Sequence, residues 1–461
     1  MSWIDKLGRY VPEVKRPLRK VSLAERLRNT AIILIAYVLL MSTKLPTLNP
    51  EVLDKYKMIQ FIMGTKIGSI VTIGTSAIVV GALIAEFIGF SDELREMVGI
   101  GDIETVSGRD RLMKFQKLLI ILFTVIYGIL YSFILAKPNA IDIIVKSLAF
   151  ILGGFIVYLM DDYISKYGFG SGISWFILLS VSNSIITGLF DPLKDLSGRY
   201  YGFVWRIVDY FVNPNAQTLY GDFGFFFNTV ILPIIMTFVL LFIIVYLDKT
   251  KIRLARGRLA RVGDKYYKLP PVELKLTYLT VIPIIFAYFT LNFVTSVLSV
   301  FKSNPTVYRI LTYLYAPFGY MSWYDWEHWV VYSIVFGFLG IVMGVAFSKL
   351  LKLDEASIGE ALKYYYAEFR RVKDNPAIKR AKLIMKAYPY VSATIAVLIA
   401  LAGNFFGVLG MGAGLILLVG IVFQFRDYWE QMLKREKKTA DLVLEEAFGD
   451  VPVIGAIVKR L

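Results

Sequence analysis

Long apolar runs separated by polar segments dominate the chain. Ten of them lie near residues 28–43, 67–90, 117–136, 141–160, 172–190, 226–247, 275–300, 327–348, 388–405 and 407–425. A helix needs about 20 mostly apolar residues to cross a bilayer, and these runs are near that length. Backbone groups in lipid must be satisfied within the segment, so each run is predicted to be a helix. Ser22 and Glu25, just before the first run, have the spacing of a capping box, which starts a helix.

Composition agrees with the pattern. Hydrophobic residues make up 57% of the 461 positions and charged residues 19%, and the mean hydropathy is +0.60. Soluble chains hold about 45–50% apolar and about 25% charged residues. A soluble enzyme, a disordered chain and a disulfide scaffold are all excluded. The chain has no cysteine and a single histidine, His328. Thiolate sites, most zinc sites and histidine-based triads go with them. No cofactor, no metal and no catalytic residue is expected. Residues 1–29 are charged and lack the short apolar core of a signal peptide.

Charge adds direction. Of the 51 lysines and arginines, 40 fall in 1–28, 91–117, position 166, 248–275, 349–386 and 426–461, and 11 fall in the alternate loops. Cytoplasmic loops are the ones enriched in lysine and arginine, so both termini are expected in the cytoplasm. An odd number of spans would scramble this partition.

Three places stand out. Segments 248–275 and 349–386 are long, basic and cytoplasmic by this count. Residues 56–90 begin with a short apolar piece, Met58 to Thr65, and continue through Gly64, Gly68, Gly74 and Gly81. Glycine disfavours helix interiors by about 1 kcal/mol against alanine. A broken helix that lines a cavity and close helix packing through small residues both fit. The strip 434–461 alternates charged and apolar residues, as in a surface helix or a disordered tail.

The run Leu159-Met-Asp-Asp-Tyr-Ile-Ser-Lys-Tyr-Gly-Phe-Gly-Ser-Gly-Ile-Ser-Trp-Phe-Ile177 resembles the fourth-to-fifth span junction of the SecY family, the channel subunit of the Sec translocon. Further resemblances follow in the same order along the chain. They are Pro12-Glu13-Val14, Lys66 to Thr72, Gln116 to Leu119, Ala255-Arg256-Gly257-Arg258 and Ala402 to Gly410. The likeness is closest to archaeal members. Two departures are Ala77, where the family usually has proline, and Glu86, where it has glutamine. Loops 42–57 and 191–225 have no counterpart in the resemblance.

The resemblance implies an all-α polytopic fold of ten transmembrane helices in two pseudo-symmetric five-helix halves. Residues 1–190 would form the first half, with a plug at about 56–67. Residues 191–225 would be an external loop, 226–433 the second half, and 434–461 a cytoplasmic tail. The implied activity is passage of unfolded secretory polypeptides across the membrane and of membrane segments sideways into lipid. An apolar pore ring would comprise Thr75, Val79, Ile173, Ile177, Ile285 and Leu417. Thr75 and Val79 are four apart, as are Ile173 and Ile177, so each pair shares a helix face. Met58, Ile59, Phe61, Ile62, Met63 and Lys66 fall on the plug, and Arg256, Arg258 and Arg370 on ribosome-docking positions. A lateral gate would open between the helix after Ser76 and the seventh span. Implied partners are a SecE-type subunit, a small third subunit, the ribosome with its nascent chain, the signal recognition particle receptor pathway, membrane lipid and the polypeptide substrates.

An ion-coupled secondary transporter of small solutes, built on inverted repeats, is the alternative. Such transporters carry ionisable groups at mid-membrane, and the apolar runs here are nearly free of them. Asp161 and Asp162 read as helix-end and turn residues, and His328 as an interfacial one.

Overall fold

The computed structural model describes residues 3–19, 21–43, 45–46, 68–90, 92–103, 105–136, 139–194, 198–255, 258–262, 265–269, 272–276, 281–301, 303–350 and 376–448. Among these, long helices fall on the ten predicted runs. They are α1 (Leu23–Ser42), α2 (Ser76–Phe90), α3 (Val106–Leu135), α4 (Ala140–Tyr167), α5 (Gly172–Phe190), α6 (Phe223–Lys249), α7 (Val281–Val300), α8 (Trp326–Leu350), α9 (Pro376–Phe405) and α10 (Met411–Phe448). Eight of them, α3 to α10, are long and apolar enough to cross a membrane. Helix α2 is apolar but has only 15 residues. Helix α1 has 20 residues, and its first turns carry Glu25, Arg26 and Arg28. The capping box forms as expected, with Ser22 Oγ accepting from Glu25 N–H and the Glu25 carboxylate accepting from Ser22 N–H.

Several ends lie beyond the apolar runs. Helix α3 starts 11 residues before its run, at Val106, where Thr105 accepts from Gly108 N–H and caps it. Helix α10 continues past the expected boundary at 434 to Phe448. Lysine, glutamate, leucine and alanine are good helix formers, and no glycine or proline interrupts the helix between Ile421 and Phe448. Helix α6 contains a wider π turn at Phe227–Ile231. It stands just before Pro233, whose ring would crowd the Thr229 carbonyl in a regular helix.

The basic segment after α6 is not an irregular loop. Strand β1 (Lys251–Ala255) pairs antiparallel with β4 (Val272–Lys275), and β2 (Arg258–Val262) with β3 (Lys265–Leu269). The end of β4 is tied to α9, because Tyr388 Oη donates to Lys275 O at 2.8 Å and Ser392 Oγ to Leu276 O at 2.9 Å.

The main core is rich in aromatic residues. Tyr127, Tyr131, Phe150, Tyr288, Phe289, Tyr332 and Phe336 join Ile177, Ala400 and Leu417 in one buried cluster. Lipid tails are as apolar as leucine, so close packing and interhelical hydrogen bonds hold membrane helices together more than burial does. The α9–α10 turn shows how close. A Cβ on Gly403 would lie 2.2 Å from Gly412 Cα, so the two backbones touch where the motif has glycine. Nearby, Thr237 Oγ1 donates to Pro233 O at 2.6 Å and accepts from Leu409 N–H at 3.1 Å, which pins the turn to α6.

Candidate functional site

Four helices distant in sequence carry five of the expected ring residues into or against the main core cluster. Ile177 of α5 and Leu417 of α10 are buried members of the main core cluster. Val79 of α2, Ile173 of α5 and Ile285 of α7 pack against that cluster. Thr75 is fully buried at the start of α2, where its carbonyl accepts from Val79 N–H at 2.9 Å.

The turn that delivers Thr75 is built from its own polar groups. Thr72 Oγ1 accepts from Gly68 N–H at 3.0 Å and donates to Ser69 O at 2.5 Å. Two backbone bonds, Leu45 N–H to Gly68 O at 2.8 Å and Ile70 N–H to Thr43 O at 3.3 Å, fasten it beside the end of α1. It also lies directly on α4. A Cβ on Gly153 would stand 1.9 Å from Ile70 O, so only glycine lets α4 pass there. Gly81 serves packing too, since a Cβ there would meet the Ile120 backbone of α3 at 2.7 Å. Of the two sequence readings of this glycine-rich stretch, close packing is seen at Gly81.

Helix α7 packs against α3, α2 and α8. On α3, Tyr131 Oη accepts from Asn292 Nδ2 at 2.9 Å, and both groups are buried. Tyr127 and Phe123 meet Phe293 edge to face, with centroids 5.8 and 6.1 Å apart. Against α2 and α8 the contact is apolar. Leu83, Phe286 and Phe347 share a cluster, and Phe286 stacks on Phe347 at 4.5 Å.

The 159–177 motif proves to be a scaffold. Asp161 Oδ1 accepts from Ile173 N–H at 2.9 Å and so caps α5, the helix that holds Ile173 and Ile177. Asp162 receives Val14 N–H at 2.7 Å and Lys166 at 2.8 Å, while Lys166 donates to Val14 O at 2.5 Å. Trp175 Nε1 donates to Phe169 O at 2.7 Å, and its ring stacks on Phe425 of α10 at 4.4 Å. The carboxylate pair is thus structural, in keeping with its helix-end position.

The N-terminal strap that contains Val14 is held by Glu13 as well. The bond from Lys117 keeps the Glu13 carboxyl below its usual range, and Lys166 and Arg16 act in the same direction. A carboxylate depressed in the folded state stabilises above its unfolded pKa, and this is lost as pH falls through the folded one. The strap is therefore expected to loosen as pH falls below the ordinary glutamate range. A spin label on Tyr10→Cys, in a chain with no other cysteine, should gain mobility there. Lys117→Ala should raise mobility at neutral pH and flatten the profile. A wild-type profile flat across this range would contradict the assignment.

The remaining expected residues are less informative. Met58, Ile59, Phe61, Ile62, Met63, Lys66, Arg256 and Arg370 lie outside the described residues. Arg258 begins β2, opposite Leu269 of β3. His328 Nε2 is 2.8 Å from Tyr315 O, and Nδ1 is 3.6 Å from Asp325 Oδ2. Among the described residues no cluster of three histidine, aspartate or glutamate side chains could hold a metal.

The family model described as SecY matches residues 69–426, more than half of the chain. The chain belongs to the SecY family. Among curated relatives, the protein translocase subunit SecY of Methanocaldococcus jannaschii is 27% identical, over 93% of this chain and 94% of that protein. The SecY of Pyrococcus furiosus is 26% identical over 96% and 98%. A solved chain described as a protein-conducting channel superposes with a TM-score of 0.73, at 21% identity over 97% and 98% of the two chains. Sec61 in a canine ribosome–channel complex gives 0.71, also at 21% identity over 97% and 98%. These likenesses establish the SecY fold of this multi-pass membrane chain.

Proposed function

We propose that this SecY-family chain is the pore-forming subunit of a Sec translocon and conducts unfolded polypeptide. One observation carries the reading. Aliphatic side chains from α2, α5, α7 and α10, on positions as far apart in the chain as Val79 and Leu417, converge on one cluster. A ring of Val79, Ile173, Ile177, Ile285 and Leu417, completed by Thr75, excludes water by dewetting and offers ions no fixed charge. Side chains change rotamer cheaply, so the ring can yield to a passing chain. The names and descriptions of the relatives support the same activity.

In this reading α1–α5 and α6–α10 form two halves, α7 parts from α2 and α3 at a lateral gate, and both termini are cytoplasmic. Residues 56–67 form the plug. Arg256, Arg258 and Arg370 meet ribosomal RNA through salt-dependent contacts. A SecE-type subunit and a small third subunit complete the assembly. The chain catalyses no reaction, and chain elongation or another motor supplies the energy. The transporter reading fares worse. Among the described residues Lys146 is the one charged residue that is buried, and it pairs with Asp142 near the end of α4.

The test is a photocrosslink. A photoreactive residue at Ile177 is irradiated in membranes carrying a ribosome stalled on a secretory chain. A crosslink that needs an intact signal sequence is expected. None at Ile177 or at Val79, with the ribosome bound, would overturn the reading.

A further inference from the structure

The segment between α5 and α6 has no part in the proposed pore. It contains a ten-residue helix, Phe203–Val212. Phe203, Ile207 and Tyr210 on one face pack against a small core of Ala216, Tyr220, Phe226 and Val230, and Tyr210 stacks on Phe226 at 3.9 Å. The two charged residues of the helix are engaged within the segment. Arg206 Nε donates to Tyr200 O at 2.5 Å, and Asp209 Oδ2 accepts from Tyr220 Oη at 2.9 Å.

The opposite face is apolar as well. Trp205, Val208 and Val212 recur at spacings of three and four, which places them on one stripe, and Tyr201 precedes the helix. All four are exposed, Val212 by 75%, and Phe211 beside them is 69% exposed. An outward stripe with no charged residue is not one that water solvates well.

Its position says what covers it. Trp205 Nε1 donates to the carbonyl of Phe190, the last residue of α5, at 2.9 Å. Phe190 and Phe223, where α5 ends and α6 begins, are themselves exposed. The stripe therefore adjoins the surface that two spanning helices turn to lipid. Tryptophan and tyrosine favour the boundary between headgroups and acyl chains.

We infer that helix Phe203–Val212 lies in the membrane interface, with Tyr201, Trp205, Val208, Phe211 and Val212 inserted among the lipids. The stripe has no lysine or arginine, so the contact needs no anionic headgroup. The inference needs α5 and α6 to cross the membrane and does not depend on the pore.

The absence of cysteine makes the test clean. Phe211→Cys and Val212→Cys in the full chain are labelled with an environment-sensitive fluorophore and reconstituted in phosphatidylcholine vesicles. Gln217→Cys, exposed on the neighbouring short helix, is the control. Quenching by nitroxides on the acyl chains should be about threefold or more stronger at 211 and 212 than at 217, and aqueous iodide should show the reverse order. Iodide quenching at 211 and 212 equal to that at 217 would overturn the inference. Protection from both quenchers would overturn it too, because a second copy or another protein would then cover the stripe.

Discussion

Gly153→Ala is expected to unseat the Gly68–Thr75 turn. Its new methyl would lie 1.9 Å from Ile70 O and 2.7 Å from Ile70 C, and a carbonyl in a turn cannot rotate aside as a side chain can. Overpacking a tight contact costs about 1–3 kcal/mol, or about fivefold to 160-fold in an equilibrium between seated and displaced turns. Thr75 stands just before α2 and Val79 is one turn on, so displacement opens the proposed ring. Closed-state ion leak in planar bilayers should rise by about fivefold or more, and thermal stability in detergent should fall. Gly337→Ala is the control. Its Cβ would meet nothing nearer than 3.7 Å, and alanine suits a helix better than glycine. Equal leak and equal stability in the two variants would show that the turn can retreat from α4 at no cost.

The second large effect lies at the α3–α7 contact. Asn292→Leu removes the amide that donates to Tyr131 Oη, a buried polar bond between these helices. Interhelical hydrogen bonds in membranes average about 0.6 kcal/mol and reach about 1.7. A shift of roughly threefold, and at most about eighteenfold, toward the parted arrangement is expected. Spin labels at Ile129→Cys and Val294→Cys, both exposed positions on the two helices, should report a longer and broader distance distribution. Adding Tyr131→Phe to Asn292→Leu should cost less than the two single effects combined, because both remove the same bond. Distributions unchanged in every variant would place the gate elsewhere.

Much of this molecule can be read from residue order, and the rest for identifiable reasons cannot. Apolar runs mark α1 to α10 because lipid demands internally bonded backbone. The proposed ring rests on the family resemblance, since Ile177 and Leu417 look like any packed aliphatic residue. Asp161 can be placed at a helix end, yet its partner, Ile173 N–H, depends on how the turn closes. Strands β1 to β4 are hidden because dense lysine and arginine make 248–275 look like a solvated loop. The Gly263-Asp264 dipeptide, set between Val262 and Lys265, is the available hairpin signal. Helix Phe203–Val212 is too short to register as a span, and periodicity alone does not say which of two apolar faces stays outside.

The length of α10 has a mechanical consequence. Its 38 residues extend about 57 Å at 1.5 Å per residue, against a hydrocarbon core of about 30 Å. One stiff rod therefore joins Leu417, in the proposed ring, to a basic stretch around Lys434, about 26 Å further along the helix. Stacking of Phe425 on Trp175 supplies a fulcrum between the two. A sideways load on the protruding end becomes an opposite displacement at Leu417, so whatever grips that end holds a lever on the seal.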